Sequence, residues 1–318
     1  MTDKSAEIIV FLQERGWLLG KLTCEFLAAG EYNENYLVST ADNDYVFRIN
    51  HGTQLGLSNQ IEYEFYVLEA VKDSGVTPAP YQYTLDCNTL GQGVLLMEYI
   101  PGTSLNYQRN LLDAAAVFAR IHSLPTDTRL IRQKTPPIDI SKESHGLIHR
   151  YSSKYYQDVR VLLLRYYEKI IKLSDNYMNM LSNESLCIVN TEVNSGNFII
   201  NESGTYLVDW EKAVVSYRYQ DLGHFIVPTT TLWKADYRLS LQEKKQFLHH
   251  YLIKSNLKLS FDELYEKTII MEEIILLRAM SWCYMAYHEY TTADRNLVHS
   301  DTFDKIVAYL NEAECFLA

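Results

Sequence analysis

Val189-Asn190-Thr191-Glu192-Val193-Asn194-Ser195-Gly196-Asn197-Phe198, followed by Asp209-Trp210-Glu211, is the stretch whose reading decides the rest. Segments 198–200 and 206–208 are short and apolar, and Asn201-Glu-Ser-Gly204 between them carries turn residues, so they read as a hairpin. A hairpin brings the chain back beside itself. Glu192, the amide of Asn197 and, after the return, Asp209 can therefore meet at one point. Hard oxygen ligands, few and incompletely caging, suit Mg²⁺, which keeps waters and takes phosphate oxygens as partners. Glu192 is then free to accept a proton from an attacking hydroxyl. The same residues also suit a loop that merely caps and turns, where Asn, Asp and Ser are common, and both readings stand at this point.

Upstream, segments 24–30, 36–40 and 45–49 are short, apolar or alternating, and separated by Gly30, Asn33 and Asp42-Asn-Asp44, which predicts an antiparallel meander. Residues 61–71 place Ile61, Phe65, Leu68 and Val71 at helical spacing, and Gly75 ends the helix before Pro78 and Pro80. Segments 82–85 and 93–100 read as two more strands, the second stopped by Pro101-Gly102. Segment 186–189 joins the hairpin as one compact β island. Beyond residue 105 the patterns at 111–122, 155–181, 241–253, 261–288 and 301–317 are helical. The expected class is α+β: a small β-rich lobe over residues 1–100 and a larger, mainly helical lobe over 101–318.

Arg48 falls in the third strand, and Glu64 on the next helix can reach back to it. A cation held by a helix carboxylate near a glycine-containing turn, here Gly30-Glu31-Tyr32-Asn33, is how kinases hold nucleotide phosphates. A surface arginine on an edge strand is the competing reading. The strand end Met97-Glu98-Tyr99-Ile100 can offer backbone groups to an adenine edge, or be a strand end and nothing more.

Composition narrows the partners. The 318 residues are 47% hydrophobic and 22% charged, enough apolar material for a sizeable core and unlike a disordered chain. Lys plus Arg number 29 and Asp plus Glu 40, for a net charge of −11, which argues against nucleic acid as a partner. Acidity suits a cationic partner or plain solubility. The five cysteines are scattered without a C-x-x-C pair, so neither a disulfide framework nor a zinc site is expected. No apolar run reaches the roughly 18 residues of a membrane span, and the N-terminus lacks the pattern of a secretory leader. The expectation is a cytoplasmic protein without a membrane partner; its oligomeric state is not legible.

Taken in order, these motifs resemble the aminoglycoside phosphotransferase and choline kinase family of protein-kinase-like small-molecule kinases, over roughly residues 20–290. Tyr45-Val-Phe-Arg48-Ile is similar to the family's phosphate-holding strand, and Glu64 to its helix glutamate. Gly75-Val-Thr-Pro-Ala-Pro80 resembles the proline-marked link, Leu95-Leu-Met-Glu-Tyr-Ile-Pro-Gly102 the hinge, and Ala116-Val-Phe-Ala-Arg-Ile-His-Ser-Leu-Pro125 the helix beyond it. Val208-Asp209-Trp-Glu211 is similar to the metal-binding D-[FW]-[ED], and Tyr219-Gln-Asp221-Leu to the downstream D-L element. The resemblance implies a protein-kinase-like two-lobe fold and phosphoryl transfer from ATP, or GTP, with Mg²⁺ to a hydroxyl of a small molecule, with an amine-bearing or aminoglycoside-like substrate favoured. It implies Glu192 as catalytic base, Asn197 and Asp209 as metal ligands, and Gly30, Asn33, Arg48, Glu64, Glu98 and Ile100 around the nucleotide. Asn190, Asn194, Glu211, Asp221 and Trp233 are expected at the substrate or in support, with Asp221 anchoring the loop after the metal site.

One departure stands out. The family's catalytic loop reads H-G-D-x-x-x-x-N, whereas this chain has Asn190-Thr191-Glu192 and then Asn197. Glutamate keeps the carboxylate but adds one methylene of reach, and a displacement of about 1 Å at a reacting centre can cost on the order of 10²-fold in rate. A kinase-like protein that binds a nucleotide or partner without turnover is therefore the alternative. His122, His145, His149, His224, His249 and His250 lack metal-ligand spacing and are expected in packing or surface roles. If the net charge has a function, acidic residues should line a substrate cleft in the helical lobe.

Overall fold

A computed structural model describes residues 3–30, 32–53, 55–87, 89–151, 154–292 and 300–317. Five antiparallel strands form the first sheet: β1 (Thr23–Ala29), β2 (Asn33–Ser39), β3 (Asp44–Asn50), β4 (Pro80–Thr84) and β5 (Gly93–Glu98), in the order β1-β2-β3-β5-β4. The predicted meander is present, and β3 lies at the centre of the sheet rather than at an edge. Helix α1 (Ser5–Glu14), which the sequence patterns did not suggest, covers one face, and α2 (Gln60–Val71) covers the other. This double cover explains why β3 is buried from Val46 to Asn50. Phe47 and Ile49 join Ile8, Phe11 and Leu12 of α1 in one cluster, while Val46 packs with Ile61 and Leu68 of α2. Alternation then puts Arg48 on the α2 face.

The remainder is mostly helical: α3 (Tyr107–His122), α4 (Pro136–His149), α5 (Gln157–Met180), α6 (Tyr219–Ile226), α7 (Pro228–Lys234), α8 (Leu241–Ser255), α9 (Phe261–Thr292), α10 (Ser300–Asn311) and α11 (Ala313–Leu317). Helices α4 and α5 pack on α9, so 136–149 and 157–180 are helical structure joined to the core. The expected single β island divides in two. Strand β7 (Cys187–Val189) pairs with β10 (Val214–Ser216), whereas the hairpin β8 (Phe198–Asn201) and β9 (Gly204–Leu207) pairs with β6 (Thr103–Ser104) at the end of the hinge. The three-residue β10 carried too little pattern to be seen, and it captured β7.

The hairpin is fixed from below. Phe198, next to Asn197, is fully buried and meets Phe118 and Phe225 with ring centroids 5.5 and 5.3 Å apart, and Phe247 stacks on Phe225 at 5.1 Å. Truncating such a residue to alanine costs about 3–5 kcal/mol. The loop 190–197 therefore stands on a cluster of buried aromatic rings. Trp210, also fully buried, donates its indole N–H to Leu207 O at 2.9 Å and roots the segment between Asp209 and Glu211.

Candidate active site

Three carboxylates converge at the mouth of the hairpin. Glu192, Asp209 and Glu211 each bring a ligand oxygen within 4.8 Å of the others. Glu211, expected only in a supporting place, is thus a full member of the cluster. Asn197 closes the loop from beneath, donating its Nδ2 to Glu192 O at 2.6 Å, which leaves its Oδ1 as the free ligand atom of the amide.

Two backbone positions bear the cost of this shape. Thr191 and Asp209 adopt left-handed φ values of 69° and 64°, unusual for residues with a side chain and worth about 1–2 kcal/mol each. Hydrogen bonds over-determine both. Asn190 donates Nδ2 to Asp209 O at 2.8 Å and accepts from Glu192 N at 3.0 Å, tying the two halves of the site together. Asp221 accepts from Asn190 N at 2.9 Å and Thr191 N at 2.8 Å. It therefore anchors the loop before Glu192 and not, as expected, the one after the metal site, because α6 points its first turn back at β7. Asn194 caps the short turn Ser195–Asn197 by accepting from Gly196 N at 2.9 Å.

From the sheet, Arg48 enters the site. It is 6% exposed, which rules out the surface reading, and it donates to Glu64 Oε1 at 2.5 Å, Asp209 Oδ1 at 3.2 Å and Asn35 Oδ1 at 2.9 Å. Burial works against its charge, but Glu64, Asp209 and Glu211 outweigh it and hold the guanidinium above the ordinary arginine range. Burial likewise pushes the Glu64 carboxyl up, and Arg48 opposes that. Asn33 reaches the cluster too: its Nδ2 donates to Glu211 Oε2 at 2.5 Å, and its Oδ1 accepts from Asn50 Nδ2 at 2.8 Å. Gly30 holds the other end of the same turn through its N–H to Asn33 O at 2.9 Å, and a Cβ placed there would meet nothing within 4 Å. Glu31 of this turn lies outside the described residues.

Helix α2 grips the segment beyond the cluster. Gln60 Nε2 donates to Glu211 O at 2.7 Å, and Tyr63 donates its hydroxyl to Ala213 O at 2.7 Å while accepting from Ile131 N at 3.2 Å. At the hinge, Glu98 bonds through its amide to Ala79 O at 2.8 Å and through its carboxylate to Ala79 N at 3.0 Å, beside a polar cleft of about 360 Å³. Ile100 follows in the link to β6. Trp233 ends α7, a helix that lies against the Ser195–Asn197 turn, and its half-buried ring meets Trp282 and Tyr309 edge-on at 5.9 and 5.8 Å.

One site residue escaped sequence reasoning. Lys212 Nζ lies 2.7 Å from Glu192 Oε1, and its carbonyl accepts from Thr191 Oγ1 at 3.0 Å. Nothing but adjacency to Asp209-Trp210-Glu211 pointed to it. His122, expected in a packing or surface role, packs fully buried against Asp221 and Tyr251, and from there supports the loop indirectly.

Four carboxylates, Glu64, Glu192, Asp209 and Glu211, here face two cations, Arg48 and Lys212. The imbalance shows at Glu211, whose carboxyl is pushed up to about 7 by burial and then by Asp209, Glu64 and Glu192. An oxygen-only set with surplus negative charge fits a hard divalent cation. Elsewhere, Glu272 and Glu273 border a cavity of about 310 Å³ between α8 and α9, where Glu272 is paired with Lys244.

A sequence model of the phosphotransferase enzyme family matches residues 23–254. No curated protein sequence matches the chain. Among solved structures, the choline kinase LicA of Streptococcus pneumoniae is 21% identical, with a TM-score of 0.64 over 98% of this chain and 99% of its own. A spectinomycin phosphotransferase in complex with ADP and spectinomycin is 14% identical, with a TM-score of 0.62 over 100% of this chain and 99% of its own. An amicoumacin kinase in complex with AMP-PNP, Ca²⁺ and Ami is 15% identical, with a TM-score of 0.62 over 98% and 96%. These likenesses show the fold: a kinase-like α+β architecture with an antiparallel-sheet lobe and a mostly helical lobe.

Proposed function

The chain belongs to the phosphotransferase enzyme family and is a small-molecule phosphotransferase, and from that premise we propose that it moves the γ-phosphate of ATP, or GTP, to a hydroxyl of a small amine-bearing molecule, with Mg²⁺ as cofactor. The observation that carries the proposal is the meeting of Glu192, Asp209 and Glu211 within 4.8 Å, beside an Arg48 fixed by Glu64. In this reading residues 1–100 hold the nucleotide and 101–318 supply the loop, the metal ligands and the substrate pocket. Gly30 and Asn33 close over the phosphates, and Glu98 and Ile100 border the base.

Asp209 and the Oδ1 of Asn197 would hold the ion, with Glu211 beside them. Bound there, Mg²⁺ neutralises phosphate charge and orients the transferring group. Arg48 offsets charge on the nucleotide, and Glu192 takes the proton of the acceptor hydroxyl as it attacks in line. Asn190, Asn194 and Asp221 keep the loop in shape, and Trp233 borders the substrate. The half-buried Trp233 and Trp282 rings supply apolar and cation-attracting surface next to α7, which supports an amine-bearing substrate.

The five cysteines are free thiols, and no described helix is long and apolar enough to cross a membrane. One observation favours a second reading, binding without turnover: Glu192 replaces the family's aspartate and is engaged by Lys212. ATP consumption measured across a panel of amino alcohols, sugars and aminoglycosides decides between them. Turnover of any member supports the first reading, and Mg-ATP binding with no turnover supports the second.

A further inference from the structure

We propose that Lys212 is the positioning residue that allows a glutamate to act where the family has an aspartate, an inference that rests on the phosphotransferase reading above. Lys212 holds the catalytic loop twice. Its carbonyl accepts from Thr191 Oγ1 at 3.0 Å, steadying the left-handed backbone just before Glu192, and its ammonium meets Glu192 Oε1 at 2.7 Å. Glutamate has one more rotatable bond than aspartate, and that freedom is what would let the carboxylate wander from the acceptor. Fixing Oε1 removes it and leaves Oε2 as the proton-accepting oxygen.

The length of the side chain matters. An aspartate at 192 would withdraw the carboxylate by about one C–C bond, roughly 1.5 Å, and open the 2.7 Å contact past hydrogen-bond range. The lysine and the glutamate therefore belong together. The pair is only partly screened, with side-chain exposures of 15% for Lys212 and 27% for Glu192. In the reaction the acceptor O–H proton passes to Glu192 Oε2, the acceptor oxygen forms the new bond to the γ-phosphorus, and the γ-phosphorus–bridging oxygen bond breaks with its electron pair going to the β-phosphate of ADP. Lys212 touches no reacting atom; it sets where Oε2 points.

The test measures ADP release from Mg-ATP, with water and with the amino-alcohol, sugar and aminoglycoside panel as acceptors, alongside Mg-ADP affinity by calorimetry. Lys212→Met should lower kcat by about 10²-fold, with KM for ATP and Mg-ADP affinity within about twofold of wild type. Lys212→Arg, which keeps the ion pair, should recover most of the loss. Glu192→Asp should be impaired rather than improved, and adding Lys212→Met to it should cost little more, since the pair is already broken. Unchanged kcat in Lys212→Met, or equal losses in kcat and Mg-ADP affinity, would overturn the inference alone. Wild-type protein that binds no Mg-ADP or releases none from Mg-ATP would overturn the phosphotransferase reading and this inference with it.

Discussion

His122 and Asp221 face each other in the core with both side chains fully buried, the ring Nε2 3.2 Å from Oδ2. Through this contact helix α3 supports the carboxylate that holds the amides of Asn190 and Thr191. Asp221→Ala should therefore strand two backbone donors and a histidine, at about 3–5 kcal/mol. Asp221→Asn should cost less, because one oxygen still accepts. Urea midpoints of the two variants check the order, and equal losses would remove Asp221 from this role.

His122 and His224 should contribute to acid sensitivity of the fold. Burial holds the His122 ring below its ordinary pKa, and His224 is pushed down to about 4 by burial, then by Arg278 and Lys212 nearby. The unfolded chain binds protons near pH 6.5 that the native one refuses, so stability is full above that pH and falls as the pH drops toward 4. Each group contributes a slope of at most about 1.4 kcal/mol per pH unit. His224→Gln should flatten the profile between pH 6.5 and 4.5, and an unchanged slope would show that His224 does not titrate with unfolding.

Asp209 sits on a left-handed backbone that asparagine tolerates better than alanine, which makes Asp209→Asn the cleaner probe. It should fold normally, weaken Mn²⁺ binding read by electron paramagnetic resonance, and lower turnover by about 10²–10³-fold or more. Retained Mn²⁺ affinity would move the ion away from Asp209. Chelating the divalent cation from wild-type protein should abolish turnover and leave the circular dichroism unchanged.

Glu64 supports a buried guanidinium. Glu64→Ala should cost about 3–5 kcal/mol by leaving Arg48 short of a counter-charge. Glu64→Gln should cost less while raising KM for ATP about tenfold, the loss of roughly one charge-assisted hydrogen bond's alignment. A Gln variant with unchanged KM would separate the ion pair from nucleotide binding.

What the sequence made legible was local. The meander followed from alternating strands and turn residues, and Arg48 with Glu64 from a strand and helix sixteen residues apart. What it hid was long-range. Asn33 and Glu211 are 178 residues apart, His122 and Asp221 are 99 apart, and no period or spacing links either pair. Lys212 to Glu192 spans only 20 residues, yet a lysine after an acidic motif reads as a solvated charge until the hairpin is folded. The split of β7 from the hairpin has the same origin, since Val214-Val-Ser216 is too short to announce itself.

Helix α2 reaches the helical lobe through Gln60 and Tyr63, and holds Arg48 of its own sheet through Glu64. In regulated protein kinases the corresponding helix has to move before the lysine–glutamate pair forms. Here three separate bonds would have to break for it to leave. The helix therefore stands in its engaged position, with the Arg48–Glu64 pair formed and the segment after Asp209 gripped from above.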